Sequence, residues 1–148
     1  MGRPRCEDLQ LVPLLPAFYQ PDFVLIDISL LNSLSRREMV SGYGEILKHS
    51  LILNKKFFFW LTKNAKKIIN KENNKILTKA VIQSCKIKSK IIAKDEKENN
   101  LRMVLNFGHT FAHAIEVKNN YSKKISHGEA VLGGMILESK MSVLQKVC

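Results

Sequence analysis

The sequence predicts a mainly α-helical domain, with at most one or two short strands near the N-terminus. Three observations carry that prediction. All four prolines fall within residues 1–21. From Ser35 onward no proline occurs, and glycine is confined to positions 42, 44, 108, 128, 133 and 134. Proline removes a helix donor and glycine costs about 1 kcal/mol in a helix interior, so a long stretch poor in both favours helices. Third, Ser35-Arg-Arg-Glu38 has the S-x-x-E form of a capping box, in which two side chains satisfy the orphan amides of a helix start.

The elements follow in order. The proline-rich residues 1–16 are read as an irregular arm, and residues 17–148 as the helical domain. Phe23-Val-Leu-Ile-Asp27 is an apolar run compatible with a buried strand, though its length does not separate a strand from a helix start. A helix over 36–53 follows the capping box. The run Phe57-Phe-Phe-Trp-Leu61 opens a second helix, its four aromatics expected to wedge into the core. Residues 70–74 form a polar turn, and 77–94 read as a third helix. A charged loop over 95–100 leads to helices over 105–117 and 128–147, with 119–124 as the loop between them.

A length of 148 residues suits one domain. With 45% hydrophobic and 25% charged residues the chain is neither disordered in type nor built for a membrane, and no apolar run nears the roughly 20 residues of a span. Cys6, Cys85 and Cys148 are far apart and lack a C-x-x-C pattern, so neither a disulfide framework nor a thiolate zinc site is indicated. No signal-peptide core is present either, and a reducing cytoplasm is the expected location. The net charge of +11 lies entirely between residues 48 and 97, which hold 14 lysines and 3 acidic residues.

Helical geometry divides those lysines. At 100° per residue, with Leu77 as origin, Val81, Ser84, Ile91 and Ile92 fall within roughly 60° of it, while Lys79, Lys86, Lys90 and Lys94 fall on the far side. Those four are expected to be solvated. Lys88 lands at about 20°, within the expected buried stripe, where an ammonium needs an anionic partner.

A second constellation is built from histidine. His109 and His113 are four apart and share a helix face; if the helix begins early enough, Arg102 and Asn106 join them in an arc of about 60°. Val104, Phe107, Phe111, Ala114 and Ile115 occupy another side. No Glu follows His109, so this is not the H-E-x-x-H helix of a metalloprotease. His127 stands at a loop-to-helix junction. On the first long helix Glu45, Lys48 and His49 share a face, either as a surface ion pair or as a carboxylate ligand beside a cation for an anionic substrate. One carboxylate with two imidazoles is a catalytic zinc set. Spacing alone does not choose which two of the four histidines complete it.

Six segments, in order, resemble 3-dehydroquinate synthase: Ala17-Phe-Tyr-Gln-Pro21, Ser41-Gly-Tyr-Gly-Glu-Ile-Leu-Lys48, Cys85-Lys-Ile-Lys88, Asp95-Glu-Lys-Glu98, the block from Leu101 through Leu105-Asn-Phe-Gly-His-Thr-Phe-Ala-His-Ala-Ile-Glu116, and His127-Gly-Glu-Ala-Val131. The resemblance implies the helical C-terminal domain of a two-domain, cytoplasmic enzyme of aromatic amino-acid biosynthesis that uses NAD and Zn2+ or Co2+ and acts as a homodimer. It implies Glu45, His109 and His127 as metal ligands, His113, Lys88, Arg102 and Asn106 as catalytic residues, and these four together with Lys48 as the residues in contact with substrate, Lys48, Lys88, Arg102 and Asn106 holding phosphate, carboxylate and hydroxyls of a small phosphorylated sugar acid. The implied reaction converts 3-deoxy-D-arabino-heptulosonate 7-phosphate to 3-dehydroquinate and phosphate.

The departures from the family are specific. Pro16, Gly44 and His49 stand where Gly, Ala and Tyr are usual, residues 1–15 match nothing in the family, and no Gly-rich phosphate loop is present. The expectation is a truncated or split product that turns over substrate only when a separate chain supplies the NAD-binding domain. Two alternatives are a related sugar-phosphate cyclase and a basic nucleic-acid-binding module. The latter is weakened by 19 lysines against 5 arginines and by the lack of any nucleic-acid motif.

Overall fold

The computed structural model describes residues 22–96, 100–121 and 124–147; the arm expected over 1–16 lies outside them. The described residues form five α-helices: α1 (Arg36–Leu53), α2 (Lys55–Ile69), α3 (Asn74–Ile92), α4 (His109–Lys118) and α5 (His127–Leu144). The 3-10 segments Ile28–Ser33 and Leu101–Asn106 precede α1 and α4. The mainly α prediction holds, and no strand occurs among the described residues. The apolar run over 23–27 lies in neither a helix nor a strand, and Phe23, Val24 and Leu25 are exposed.

Local sequence explains where the helices start. Both halves of the Ser35–Glu38 capping box form: the Ser35 amide donates to Glu38 Oε2 at 2.6 Å, and the Glu38 amide to Ser35 Oγ at 3.3 Å. Asn54 caps α2 and Asn73 caps α3, each accepting an amide hydrogen bond through its side chain. The Asn73 cap starts α3 at Asn74, three residues earlier than the apolar periodicity suggests.

α1 packs against α2, α3 and α5, and α5 also packs against α4. One apolar cluster lies among the first three helices, with Phe57, Leu61, Ile68, Leu77, Ala80, Ile87 and Ile91 buried in it. A smaller one, of Ala112, Ala130, Val131 and Met135, lies between α4 and α5. Of the four aromatics expected in the core, Phe57 is buried, Phe58 and Trp60 are half-buried, and Phe59 is exposed. Four consecutive helical positions point around most of the helix circumference, so one core cannot take them all.

Two expectations need correction. The buried stripe of α3 is Leu77, Ala80, Ser84, Ile87 and Ile91, rotated by roughly 50° from the predicted one. Lys88 therefore lies outside it and is exposed. The helix expected over 105–117 is broken at Gly108, which adopts a left-handed φ of 84° and donates its amide to Glu138 Oε2 at 2.7 Å. Arg102 and Asn106 consequently sit on a separate 3-10 segment, so the common helical arc with His109 and His113 does not form.

Candidate metal and substrate site

Three segments converge: the middle of α1, which carries Glu45 and Lys48, and the first turns of α4 and α5, which begin with His109 and His127. One carboxylate oxygen of Glu45 and one ring nitrogen from each of His109 and His127 lie within 4.8 Å of one another. Glycines allow this approach. A Cβ on Gly128 would sit 2.3 Å from the Ser41 carbonyl oxygen on α1, and one on Gly134 would sit 1.9 Å from the Gly108 carbonyl oxygen before α4. Any larger residue would push α5 away from both neighbours. Gly44, where the family resemblance leads one to expect Ala, is less constrained: its Cβ would lie 3.0 Å from Leu132 Cγ and from the Gly128 carbonyl oxygen.

The first turn of α5 is tethered further. The Gly128 amide donates to Ser41 Oγ at 3.0 Å. Ser126 and Glu129 form a second capping box, and Arg37 of α1 donates to Glu129 Oε2 from Nε at 3.1 Å and Nη2 at 2.9 Å. Arg37 also donates to the Lys124 carbonyl. The Ser126 backbone amide, then Arg37, draw the Glu129 carboxyl down to about 2. His127 thus stands at a junction fixed to α1 through side-chain bonds to Arg37 and Ser41.

The two carboxylate oxygens of Glu45 are used differently. Oε2 accepts from Lys48 Nζ at 2.6 Å, and Lys48 is buried. Oε1 is also buried, yet it has no hydrogen-bond partner among the described residues. It lies 3.8 Å from His127 Nε2. Burial pushes the Glu45 carboxyl upward, but Lys48 and the imidazoles of His109 and His127 outweigh it and hold the group below its usual range. A buried anionic oxygen without a donor, facing two imidazoles, is the arrangement a cation would complete. Burial and then the Lys48 charge depress His109, which favours the neutral imidazole a metal ligand requires.

Of the four histidines, His109 and His127 join Glu45, their ring centroids 5.3 Å apart. The exposed His113 ring packs edge-on against His109 at 5.7 Å. His49 turns away to α3, where its Nδ1 lies 2.7 Å from Ser84 Oγ. Burial, aided by Lys48, brings His49 down to about 4, and it is a neutral tie between helices.

The remaining predicted residues are more dispersed. The charge of exposed Lys88 still reaches His49 and helps depress it. Arg102 donates from Nη1 to the Glu96 carbonyl at 2.7 Å, and its amide bonds Asp95 Oδ2 at 2.8 Å. Asn106 is exposed and lines a groove with Phe107, Thr110 and Glu138. The sequence reading assigned no role to Arg37, Glu129 or Glu116. The S-x-x-E pattern at Ser126 was available to reveal the second capping box. Glu116 lies seven residues after His109, hence about 20° from it around the helix.

Residues 42–148 match the 3-dehydroquinate synthase C-terminal family. Over 134 residues the chain is 54% identical to the 3-dehydroquinate synthase of Pelagibacter ubique, a match covering 90% of this chain and 36% of that protein. It is 45% identical over 135 residues to the Dictyoglomus turgidum 3-dehydroquinate synthase, covering 91% of this chain and 38% of that one. The Agrobacterium fabrum 3-dehydroquinate synthase is 45% identical over 130 residues, 87% of this chain and 34% of its own length. The chain thus spans little more than a third of the relatives it matches, and it does so through the segments that carry the Glu45–His109–His127 cluster; it belongs to the 3-dehydroquinate synthase family.

Proposed function

We propose that the chain provides the metal- and substrate-binding portion of a 3-dehydroquinate synthase, with Glu45, His109 and His127 holding Zn2+, or Co2+ in its place. The buried, unpartnered Oε1 of Glu45 beside two imidazoles is the observation that carries this reading. Bound there, the ion would supply Lewis-acid polarisation of a substrate hydroxyl. The chain's own side chains do the rest of the work on this side of the cleft. Lys48 holds Glu45 in place and presents a desolvated ammonium to an anionic sugar acid. His113, exposed beside His109, is available to hold or move a proton at the substrate. Lys88, Arg102 and Asn106 engage phosphate, carboxylate and hydroxyl groups.

The substrate in this reading is 3-deoxy-D-arabino-heptulosonate 7-phosphate and the products are 3-dehydroquinate and phosphate. NAD would come from a nucleotide-binding portion, in the same protein or in another chain, within a homodimer. A reducing cytoplasm suits the free, exposed Cys85.

Metal analysis after dialysis tests the core of the proposal. The chain is expected to retain one Zn2+, and Glu45→Ala, His109→Ala and His127→Ala to lose it. Equal retention by all four proteins would refute the ligand set. With NAD and a nucleotide-binding portion supplied, phosphate release is expected to depend on Lys48, Lys88 and Arg102 mainly through KM.

A further inference from the structure

The two imidazoles of the cluster are supported in unlike ways. Among the described residues His109 Nδ1 has only the Phe107 carbonyl, at 3.5 Å, the limit of a hydrogen bond. His127 Nδ1 lies 3.0 Å from Oε1 of Glu116, whose side chain is 16% exposed, while His127 itself is 48% exposed. An exposed ring at the first position of a helix has little packing to hold its orientation. Its other nitrogen, Nε2, is the one turned toward Glu45.

We infer that Glu116 is a positioning residue: its carboxylate accepts the Nδ1 proton of His127, fixing the tautomer and ring angle that direct the Nε2 lone pair into the metal site. This rests on the metal-binding reading proposed above and deepens it. A carboxylate behind a ligating imidazole also raises the ligand's basicity, and loss of such a partner typically weakens metal binding about 10- to 100-fold. The placement has a second consequence. Glu116 and His109 lie on one face of α4, so this single short helix supplies one ligand and orients the other. Spacing between the two imidazoles is thereby tied to the docking of α4 on α5.

The test is Co2+ titration of the full chain, followed by visible absorption, with Glu116→Gln, Glu116→Ala and His127→Ala compared with the wild type. Glu116→Gln keeps an oxygen that can accept the Nδ1 proton but drops the charge, and is expected to weaken binding several-fold with little spectral change. Glu116→Ala is expected to weaken it about 10- to 100-fold with a shifted visible band, and His127→Ala to abolish it. Histidine nitrogen NMR of the metal-free chain gives an independent readout: His127 stays in the Nδ1–H tautomer in the wild type and in Glu116→Gln, and becomes a mixture in Glu116→Ala. Should Glu116→Ala lose its helical circular dichroism, Glu116→Gln decides. Wild-type affinity in Glu116→Gln and in any folded Glu116→Ala overturns the role of Glu116 alone. No Co2+ uptake by the wild type, or undiminished uptake by His127→Ala, overturns the metal reading together with this inference.

Discussion

The α1–α2–α3 unit and the α4–α5 pair are packed by different means. The first buries bulky apolar side chains between its helices, Leu61, Ile68, Leu77 and Ile91 almost completely. The second has a smaller cluster, Ala112, Ala130, Val131 and Met135, and glycines where α5 meets Gly108 and Ser41. Large side chains give burial energy but hold helices apart. The Glu45, His109 and His127 atoms that lie within 4.8 Å of one another across three helices need the opposite. One region therefore supplies stability and the other position, and α1 belongs to both, with Tyr43 in the apolar cluster and Glu45 in the site.

The largest expected effect should strike the first region alone. Leu61→Ala removes a side chain with no exposure from the centre of the α1–α2–α3 cluster. A loss of about 2–5 kcal/mol in urea unfolding is expected. The affinity of the folded fraction for Zn2+ should stay unchanged. A fall in that affinity would show that the two regions are not separable.

The second effect is pH-dependent and also belongs to the first region, where His49 ties α1 to α3 through Ser84. His49 drops from 6.5 to about 4 on folding, chiefly through burial. The unfolded chain therefore takes up its proton first as pH falls. Stability from this group is complete above about 6.5, declines between 6.5 and 4, and is level below that, a total on the order of 3 kcal/mol. Unfolding free energies measured from pH 7.5 to 4 check this. His49→Phe should flatten the slope, and an unchanged slope would assign it to other groups.

Gly128→Ala addresses the second region. The added methyl meets Ser41 backbone, which cannot swing aside as a side-chain tip can, so about 1–3 kcal/mol of destabilisation is expected. The more telling result is in Zn2+ binding, which should fall at least tenfold because α5 carries His127 away from Glu45. Retained affinity in the folded variant would mean that the crossing is not what sets the site.

How much of this was legible in the sequence divides along the same line. Helix caps and apolar periodicity are local, so α1, α2 and α3 were readable to within a few residues, and the four solvated lysines of α3 are exposed as expected. Lys88 is exposed because the covered side of α3 is completed by Ala80 and Ile87 rather than by Val81 and Ile92, and which side of an apolar arc is covered depends on where α1 and α2 lie. Arg102 was misplaced for a different reason. Gly108 breaks the helix through a bond to Glu138, 30 residues away, which no local pattern contains. The histidine choice was likewise tertiary: His49 and His127 are equally plausible by spacing, and only the packing turns one toward Ser84 and the other toward Glu45. The family resemblance, resting on long matched segments, named the triad that the geometry then brought together.

The smallest effects give the sharpest contrast, because the same chemistry occurs once in each region. Ser35 and Ser126 both cap helices through capping boxes, and replacing either with Ala should cost about 1 kcal/mol. The Ser35 box only starts α1. The Ser126 box also fixes the residue that follows it, His127, and its Glu129 is bound to Arg37 on α1. Ser126→Ala should therefore weaken Zn2+ binding several-fold while Ser35→Ala leaves it unchanged, at matched losses in thermal stability. The pH dependence separates them again. Glu129 has a folded value of about 2 against an ordinary 4.5, so its contribution is complete above 4.5 and is lost as pH falls toward 2. Ser126→Ala keeps the backbone amide, the first cause of that depression, and the Arg37 bond, and removes only the hydroxyl, so it should move this acid loss to slightly higher pH. Equal Zn2+ affinity in the two variants would mean that the glycine crossings and the Arg37 and Ser41 bonds hold the start of α5 without the Ser126 cap.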